Sequence, residues 1–185
     1  MQDLHQRVMD MIHEYGALGV LVGMFLESSV LPIPSELVLV GAGAMQIPIL
    51  TIVIFGSIGS TLGSVIGYSI GKYGGRPFVD AYGKYFLITP EKLSAAEKWV
   101  EKYGSFAVFL SRLIPFIPFK VFSVSAGILK MSFIPFLLYT FLGMIPRSLI
   151  LASLGKTILL YKVPGLIALA VLGVISYYIY RRAKA

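Results

Sequence analysis

Four charged residues stand where charge is expensive. Glu27 and Glu36 flank the prolines Pro32 and Pro34, and Arg112 and Lys120 flank Pro115 and Pro118, all within stretches that are otherwise apolar. In the middle of a lipid bilayer each such residue costs roughly 2.5 to 3.5 kcal/mol, on the order of 10 kcal/mol for four, so they must pair, meet water or change protonation. Arg112 offers a planar fork suited to bidentate contact with a phosphate, and Lys120 a second, more mobile positive charge. Glu27 and Glu36, in surroundings of low dielectric, could exchange protons as an anion comes and goes. The chemistry this suggests is a cycle. Each carboxylate holds a basic partner when the site is empty and takes a proton when phosphate claims that partner. The purely structural alternative is that the pairs only tie the chain together, but a buried ion pair is a poor source of net stability compared with apolar packing.

Such a site needs a membrane and helices to frame it. Of the 185 residues 57% are hydrophobic and 14% charged, and the mean hydropathy is +0.83, too apolar for a water-soluble domain. Residues 47–70 carry no charge and 163–180 are apolar apart from Ser176, and each run can cross a hydrocarbon core of about 30 Å. The chain therefore reads as an all-α integral membrane protein, one membrane domain over 1–185. Around Pro32 and Pro34 neither flank is long enough to span comfortably, so residues 16–46 read as two half-helices meeting at a break, a re-entrant hairpin; residues 104–129, broken at Pro115 and Pro118, read the same way. Half-helices starting after Ser35 and Phe119 would aim free N–H groups at one spot, which suits an anion.

The remaining segments fall between these. Residues 1–15, with Leu4, Val8, Ile12 and Tyr15 at helical spacing, read as an amphipathic surface helix that keeps His5 and His13 near water and away from any metal role. The acidic and basic residues Asp3, His5, Arg7 and Asp10 before the first apolar run argue against a cleaved leader. The span 47–72 carries Gly59, Gly63, Gly67 and Gly71 at four-residue spacing, a groove for close helix packing. Residues 73–103 form a polar connector in which Thr89 and Pro90 read as a helix start. Leu93, Ala96, Val100 and Tyr103 make its apolar stripe, Trp99 sits at interfacial depth, and Gly104 is the stop. The span 131–153 is expected to be interrupted at Pro146, with Arg147 snorkelling to the interface or serving as a secondary ligand, and 163–181 is the last span. Lys130 and Lys156 read as interfacial anchors.

The halves repeat. A shift of 84 residues lays Ala42-Gly43 on Ala126-Gly127, Gly59 on Gly143, Ser64 on Ser148, Gly71-Lys72 on Gly155-Lys156 and Glu36 on Lys120. Tyr15-Gly16 meets Tyr103-Gly104 at a shift of 88, which leaves Glu27 opposite Arg112. A hairpin returns to its own side and the next span crosses, so repeat 1 (16–72) and repeat 2 (104–155) should be inverted, with the charged tips meeting near the midplane. The connector and the C-terminal Arg181-Arg182-Ala183-Lys184 share one side, and their Lys and Arg content marks that side as cytoplasmic. This predicts a multi-pass protein of the cell (plasma or inner) membrane with a cytoplasmic C-terminus.

The net charge of +7 is concentrated in the connector and the C-terminus, which fits that topology better than a nucleic-acid face. Without cysteine there are no disulfides, thiolate metal sites or cysteine nucleophiles. No Gly-x-Ser-x-Gly elbow, His-Glu-x-x-His pair, Walker loop or aspartate-rich metal motif occurs. We therefore expect no enzyme activity, cofactor or metal. Protons and membrane lipids with phosphate headgroups are the expected partners, and a homo-oligomer is left open.

Several of these runs resemble the DedA family of membrane proteins, which includes the bacterial TVP38-like and eukaryotic VTT-domain proteins. The matching pieces are Glu27 followed by Pro32-Ile-Pro-Ser-Glu36, the glycine-rich span ending in Ile-Gly-Lys-Tyr-Gly-Gly, and Arg112-Leu-Ile-Pro115 followed by Ala126-Gly127, over roughly residues 15–155. The Ile-Pro-Phe and Gly-Met-Ile-Pro runs look closer to the TVP38-like branch. In the family pattern a second arginine follows the proline of Arg-x-x-Pro by three residues; here that place is Pro118, with Lys120 as its substitute. The resemblance implies opposed re-entrant hairpins and movement of lipids between leaflets, as a flippase or scramblase, with undecaprenyl phosphate or glycerophospholipids as cargo and dependence on the proton-motive force. Two other functions compete: a proton-coupled exporter or antiporter of small ions or drugs, suggested by Glu27 and Glu36, and a noncatalytic scaffold for membrane assembly.

Overall fold

The computed structural model describes residues 15–29, 34–83, 88–114 and 119–160, and over these the chain is all helix. In order come α1 (Ala17–Ser29), α2 (Ser35–Ala44), α3 (Ile49–Ser69) widening into a π segment (Ile70–Gly74), and α4 (Gly75–Tyr82). After these follow α5 (Pro90–Tyr103), α6 (Ser105–Leu113), α7 (Phe119–Ile128) and α8 (Phe133–Leu160). Residues 1–14 of the expected surface helix (1–15), the expected breaks at Pro32, Pro115 and Pro118, and the expected last span 163–181 lie outside the described residues. Pro34 is described, and its extended backbone caps α2.

Two stretches, Ile49–Val79 and Phe133–Ile158, are long and apolar enough to cross a membrane. Their outer faces are rows of large apolar side chains, Leu50, Ile54, Ile58 and Leu62 on α3, and Ile134, Leu138, Leu142 and Leu149 on α8, all exposed. The interior holds Ser57, Ser60, Ser64, Thr140 and Ser148 together with Glu27, Arg112 and Arg147. These polar and charged groups sit within an otherwise apolar core while the outer face is apolar too, the arrangement expected where lipid is the solvent. At 1.5 Å per residue the helices α1, α2, α6 and α7 are about 14 to 20 Å long, well short of a ~30 Å crossing.

Packing runs through glycine. A Cβ at Gly59 or Gly63 would stand 2.2 or 2.3 Å from the carbonyl oxygens of Leu21 and Phe25, so the first half of the α3 groove seats α1. Gly67 and Gly71 face Ser123 and Val124, so the second half seats α7. Other close approaches come in pairs whose positions differ by 84: Gly43 on Ala152 and Gly127 on Tyr68; Gly71 on Val124 and Gly155 on Val40. The turns behave alike. Helix α2 ends with Ile47 N–H bonded to Ala42 and Gln46 at φ 59, and α7 ends with Met131 N–H bonded to Ala126 and Lys130 at φ 51. Both are Schellman ends with a left-handed residue that is not glycine.

Two expectations need correcting. Pro146 does not interrupt its span: α8 is one helix of 28 residues reaching Leu160, seven positions past the expected end at 153. Membrane helices accept an interior proline because neighbouring elements satisfy the freed carbonyl. In the connector, Thr89 accepts the Lys92 N–H and Gly104 stops α5 at φ 57. Leu93, Ala96 and Val100 pack inward against Ala107, Val121, Phe122 and Val124. Tyr103 leaves that stripe and points outward with Trp99. The position facing inward belongs instead to Glu97, which pairs with Arg76 of α4 and so ties the two connector helices together.

Candidate functional site

The start of α7 joins two charged clusters. On one side Lys120 faces Glu27 of α1, Nζ to Oε1 3.8 Å, and both are largely buried. Ser28 donates to the other carboxylate oxygen at 2.8 Å, and its hydroxyl lies 2.7 Å from that of Ser60 on α3. At 3.8 Å the lysine gives Glu27 charge balance without a hydrogen bond.

On the other side two arginines flank one ring. The guanidinium carbons of Arg112 and Arg147 lie 4.8 and 5.5 Å from the centroid of Phe119. Arg147 donates to Glu36 Oε1 at 2.5 Å, to Ser35 Oγ at 2.9 Å and to the carbonyl of Arg112 at 3.2 Å, which ties α8 to α2 and α6. Arg112 is fully buried and donates to the Phe119 carbonyl at 2.8 Å and to Ser123 Oγ at 2.9 Å, with longer contacts to Ser111 and Thr140. Among the described residues no carboxylate is within salt-bridge distance of Arg112. In both arginines the buried Nε–H has no acceptor among the described residues, an arrangement that leaves desolvated donors around one locus.

Glu27, Glu36, Arg112, Lys120 and Arg147 are thus gathered where the ends of the short helices meet the middle of α8. Their formal charges sum to +1 when all are ionised, two carboxylates against three cations. The partners differ from those the sequence register suggests. Glu27 meets Lys120 and not Arg112, and Glu36 meets Arg147. The snorkelling of Arg147 is overturned: it is 5% exposed and sits near the midpoint of α8, because the helix runs on past 153 and carries the residue away from its end. Lys130 and Lys156 are exposed. From the sequence Ser35 and Phe119 read only as the starts of half-helices, and Ser28, Ser111 and Ser123 carry no expected role. A usable signal was there, since Glu27-Ser28, Ser35-Glu36 and Ser111-Arg112 each set a hydroxyl beside a charge inside an apolar stretch. Among the described residues no three His, Asp or Glu side chains are grouped to hold a metal.

Comparison with known proteins adds identity to this geometry. The VTT domain matches residues 32–157. Undecaprenyl phosphate transporter A of Bacillus subtilis (strain 168) is 38% identical over 159 residues, covering 84% of this chain and 78% of its own length. The protein of the same name in Staphylococcus aureus (strain NCTC 8325 / PS 47) is 29% identical over 163 residues, covering 84% and 80%. An alkaline phosphatase-like protein of Lactococcus lactis subsp. cremoris (strain MG1363) is 32% identical over 164 residues, covering 84% and 76%. No solved structure matches the chain. With the domain matched over most of its length and a relative this similar, the chain belongs to the VTT-domain, or DedA, family of membrane proteins.

Proposed function

We propose that the protein moves a phosphate-bearing lipid between membrane leaflets, the headgroup passing through the charged site while the tail stays in the bilayer. The observation that carries this reading is the cluster of three buried or half-buried cations and two carboxylates inside a bundle whose exterior is apolar. The names of the two undecaprenyl phosphate transporter A relatives support a lipid-phosphate cargo. A phosphate monoester carries about −1.5 to −2 charges at neutral pH. Added to a site at +1, it leaves an excess of up to one negative charge, which a single proton on Glu27 or Glu36 removes. One proton per phosphate is the stoichiometry this charge balance favours, and it links transport to the proton-motive force.

The architecture fits the same reading. Helices too short to cross, joined in pairs, suit two re-entrant hairpins, α1 with α2 and α6 with α7. The glycine contacts and Schellman ends that recur at 84 residues support an internal duplication, and an inverted one lets the two hairpins approach the site from opposite leaflets. The protein is then multi-pass, with the connector and C-terminus on the cytoplasmic face by their Lys and Arg content. In the arrangement described, Arg112 is held to α7 through Phe119 and Ser123, Arg147 to Glu36 and Lys120 to Glu27, and Lys120 is the most exposed of the three cations, so binding would begin at Lys120 and reach the arginines as these contacts give way.

Reconstitution in liposomes tests the proposal. Wild-type protein should move a polyprenyl phosphate from the outer to the inner leaflet, faster with an imposed pH gradient, and Arg112→Ala and Lys120→Ala should both be slow. Equal rates for the variants and wild type would remove the site from the mechanism. Solute-driven pH change that is indifferent to lipid headgroup and lost in Glu36→Gln would favour a small-ion antiporter instead.

A further inference from the structure

A proton bound for Glu27 must reach a carboxyl that is 1% exposed. Among the described residues its one hydrogen bond comes from Ser28 Oγ, at 2.8 Å, and that hydroxyl lies 2.7 Å from Ser60 Oγ on α3. Ser28 also borders a small cavity, with Ser29 and Lys120 as its other polar side chains and Ile70, Val79 and Ile88 among its apolar walls. About 20 Å³ is open there to the centre of a water molecule, and one ordered water needs roughly 10 to 15 Å³. The cavity therefore fits one water. Such a water needs two to four polar partners, and the cavity offers three. The Lys120 ammonium can donate, the Ser29 oxygen can accept because its own hydrogen goes to the Leu26 carbonyl at 2.8 Å, and Ser28 borders the same space. Lys120 is 18% exposed and Ser29 half-buried, so this polar end is the one nearer to solvent.

We infer that a single water in this cavity and the Ser28 hydroxyl form the relay by which Glu27 gains and loses its proton, and that the charge of Lys120 gates the relay. The inference rests on the lipid-phosphate reading above and names the residue through which its proton passes. A hydronium in the cavity gives a proton to Ser28 Oγ as the Ser28 hydrogen passes to Glu27 Oε2. One hydronium O–H bond and one serine O–H bond break, one serine O–H and one carboxyl O–H bond form, and a neutral water is left. Rotation about the Cβ–Oγ bond, with Ser60 as the alternative partner, resets the serine. While Lys120 borders the cavity with its full charge, a hydronium there is repelled and Glu27 stays ionised. Once a phosphate takes up that charge the cavity admits the proton, so protonation follows phosphate binding. The other charged groups that act on Glu27 are Arg112, Arg147 and Glu36, and none of the three lines the cavity. Helix α3, packed along α1 at Gly59 and Gly63, carries no charge over Ile49–Ser69. Lys120 is thus the one ionic group that both Glu27 and the water meet.

The test follows the carboxyl itself. Full-length protein in liposomes is stepped from alkaline to acid buffer, and infrared spectroscopy records the protonated-carboxyl band that Glu27→Gln abolishes. Leaflet exchange of a polyprenyl phosphate is measured on the same vesicles. We expect the band to rise faster when the lipid phosphate is present, and Ser28→Ala to slow its rise about a hundredfold, the low end for a positioned proton-transfer group. Alanine keeps the Cβ that Ser28 seats against Gly63, and Ser28→Cys, of similar size with a weak donor and acceptor, should recover part of the rate. A serine that only stabilised the ionised carboxylate would, on removal, let the proton arrive as fast or faster. That result would overturn the relay, and intact leaflet exchange beside it would leave the lipid reading standing. Equal rates with and without lipid phosphate would overturn the gate at Lys120. Absence of any Glu27 band in the wild type would overturn the proton route, whereas absence of leaflet exchange with the relay kinetics intact would overturn the lipid reading alone.

Discussion

Replacing Lys120 by methionine removes the charge opposite Glu27 and keeps most of the side chain's length. The carboxylate left behind is 2% exposed, whereas Lys120 is 18% exposed. At 3.8 Å the attraction is about 4 kcal/mol for an effective dielectric near 20. Ser28 still donates to Glu27, so we expect a loss of about 3 kcal/mol, the low end for breaking a buried pair. Glu27→Gln should cost only about 1 kcal/mol, because Lys120 is partly exposed and its flexible stem can carry the ammonium toward water. The double variant leaves no stranded charge and should cost about 2 kcal/mol, which gives a coupling of about 2 kcal/mol. The assay is reversible SDS-induced unfolding in mixed micelles for wild type, both single variants and the double. Additivity within about 0.5 kcal/mol would show that the two residues are not energetically paired. A larger cost for Glu27→Gln than for Lys120→Met would refute the burial argument.

Four further outcomes follow from the same contacts. Arg147→Lys keeps the charge but cannot reach Glu36, Ser35 and the Arg112 carbonyl together; the loss of one charge-assisted bond should slow leaflet exchange about tenfold or more, and a wild-type rate would exclude Arg147 from the site. Gly71→Ala places a methyl group 2.0 Å from the Val124 carbonyl oxygen and should destabilise the protein by about 1 to 3 kcal/mol in SDS unfolding, with no loss meaning that α3 and α7 do not meet there. Gln46→Gly and Lys130→Gly relieve left-handed residues and should each stabilise by about 1 kcal/mol, so a loss at either would argue against a left-handed helix end. The Glu91 carboxyl is held below its ordinary titration range, chiefly by the Thr89 hydroxyl. Its contribution to the start of α5 is therefore present above the ordinary carboxylate range and lost as pH falls through the lowered value, and Thr89→Val should raise the Glu91 midpoint in a carboxyl NMR titration.

Hydropathy and local stereochemistry are properties of neighbouring residues, so the sequence by itself determined much of the frame. The uncharged run 47–70 and the capping at Thr89, Pro90 and Gly104 reappear in α3 and α5. The charges beside the prolines mark the region where Glu27, Glu36, Arg112 and Lys120 gather. Which charge meets which was decided only by the tertiary structure. An 84-residue register aligns Glu36 with Lys120 but says nothing of contact, because contact depends on the rotation of each helix and on where it crosses its neighbours. Continuous winding of α8 through Pro146 places Arg147 inward between Glu36 and the Arg112 carbonyl, partners the repeat pattern did not suggest. Arg112 in turn takes hydroxyls and a carbonyl in place of a carboxylate. A fully buried guanidinium needs acceptors at fixed angles, and the helix crossing supplies those from Phe119 and Ser123, a choice made by geometry after the residue types were already set.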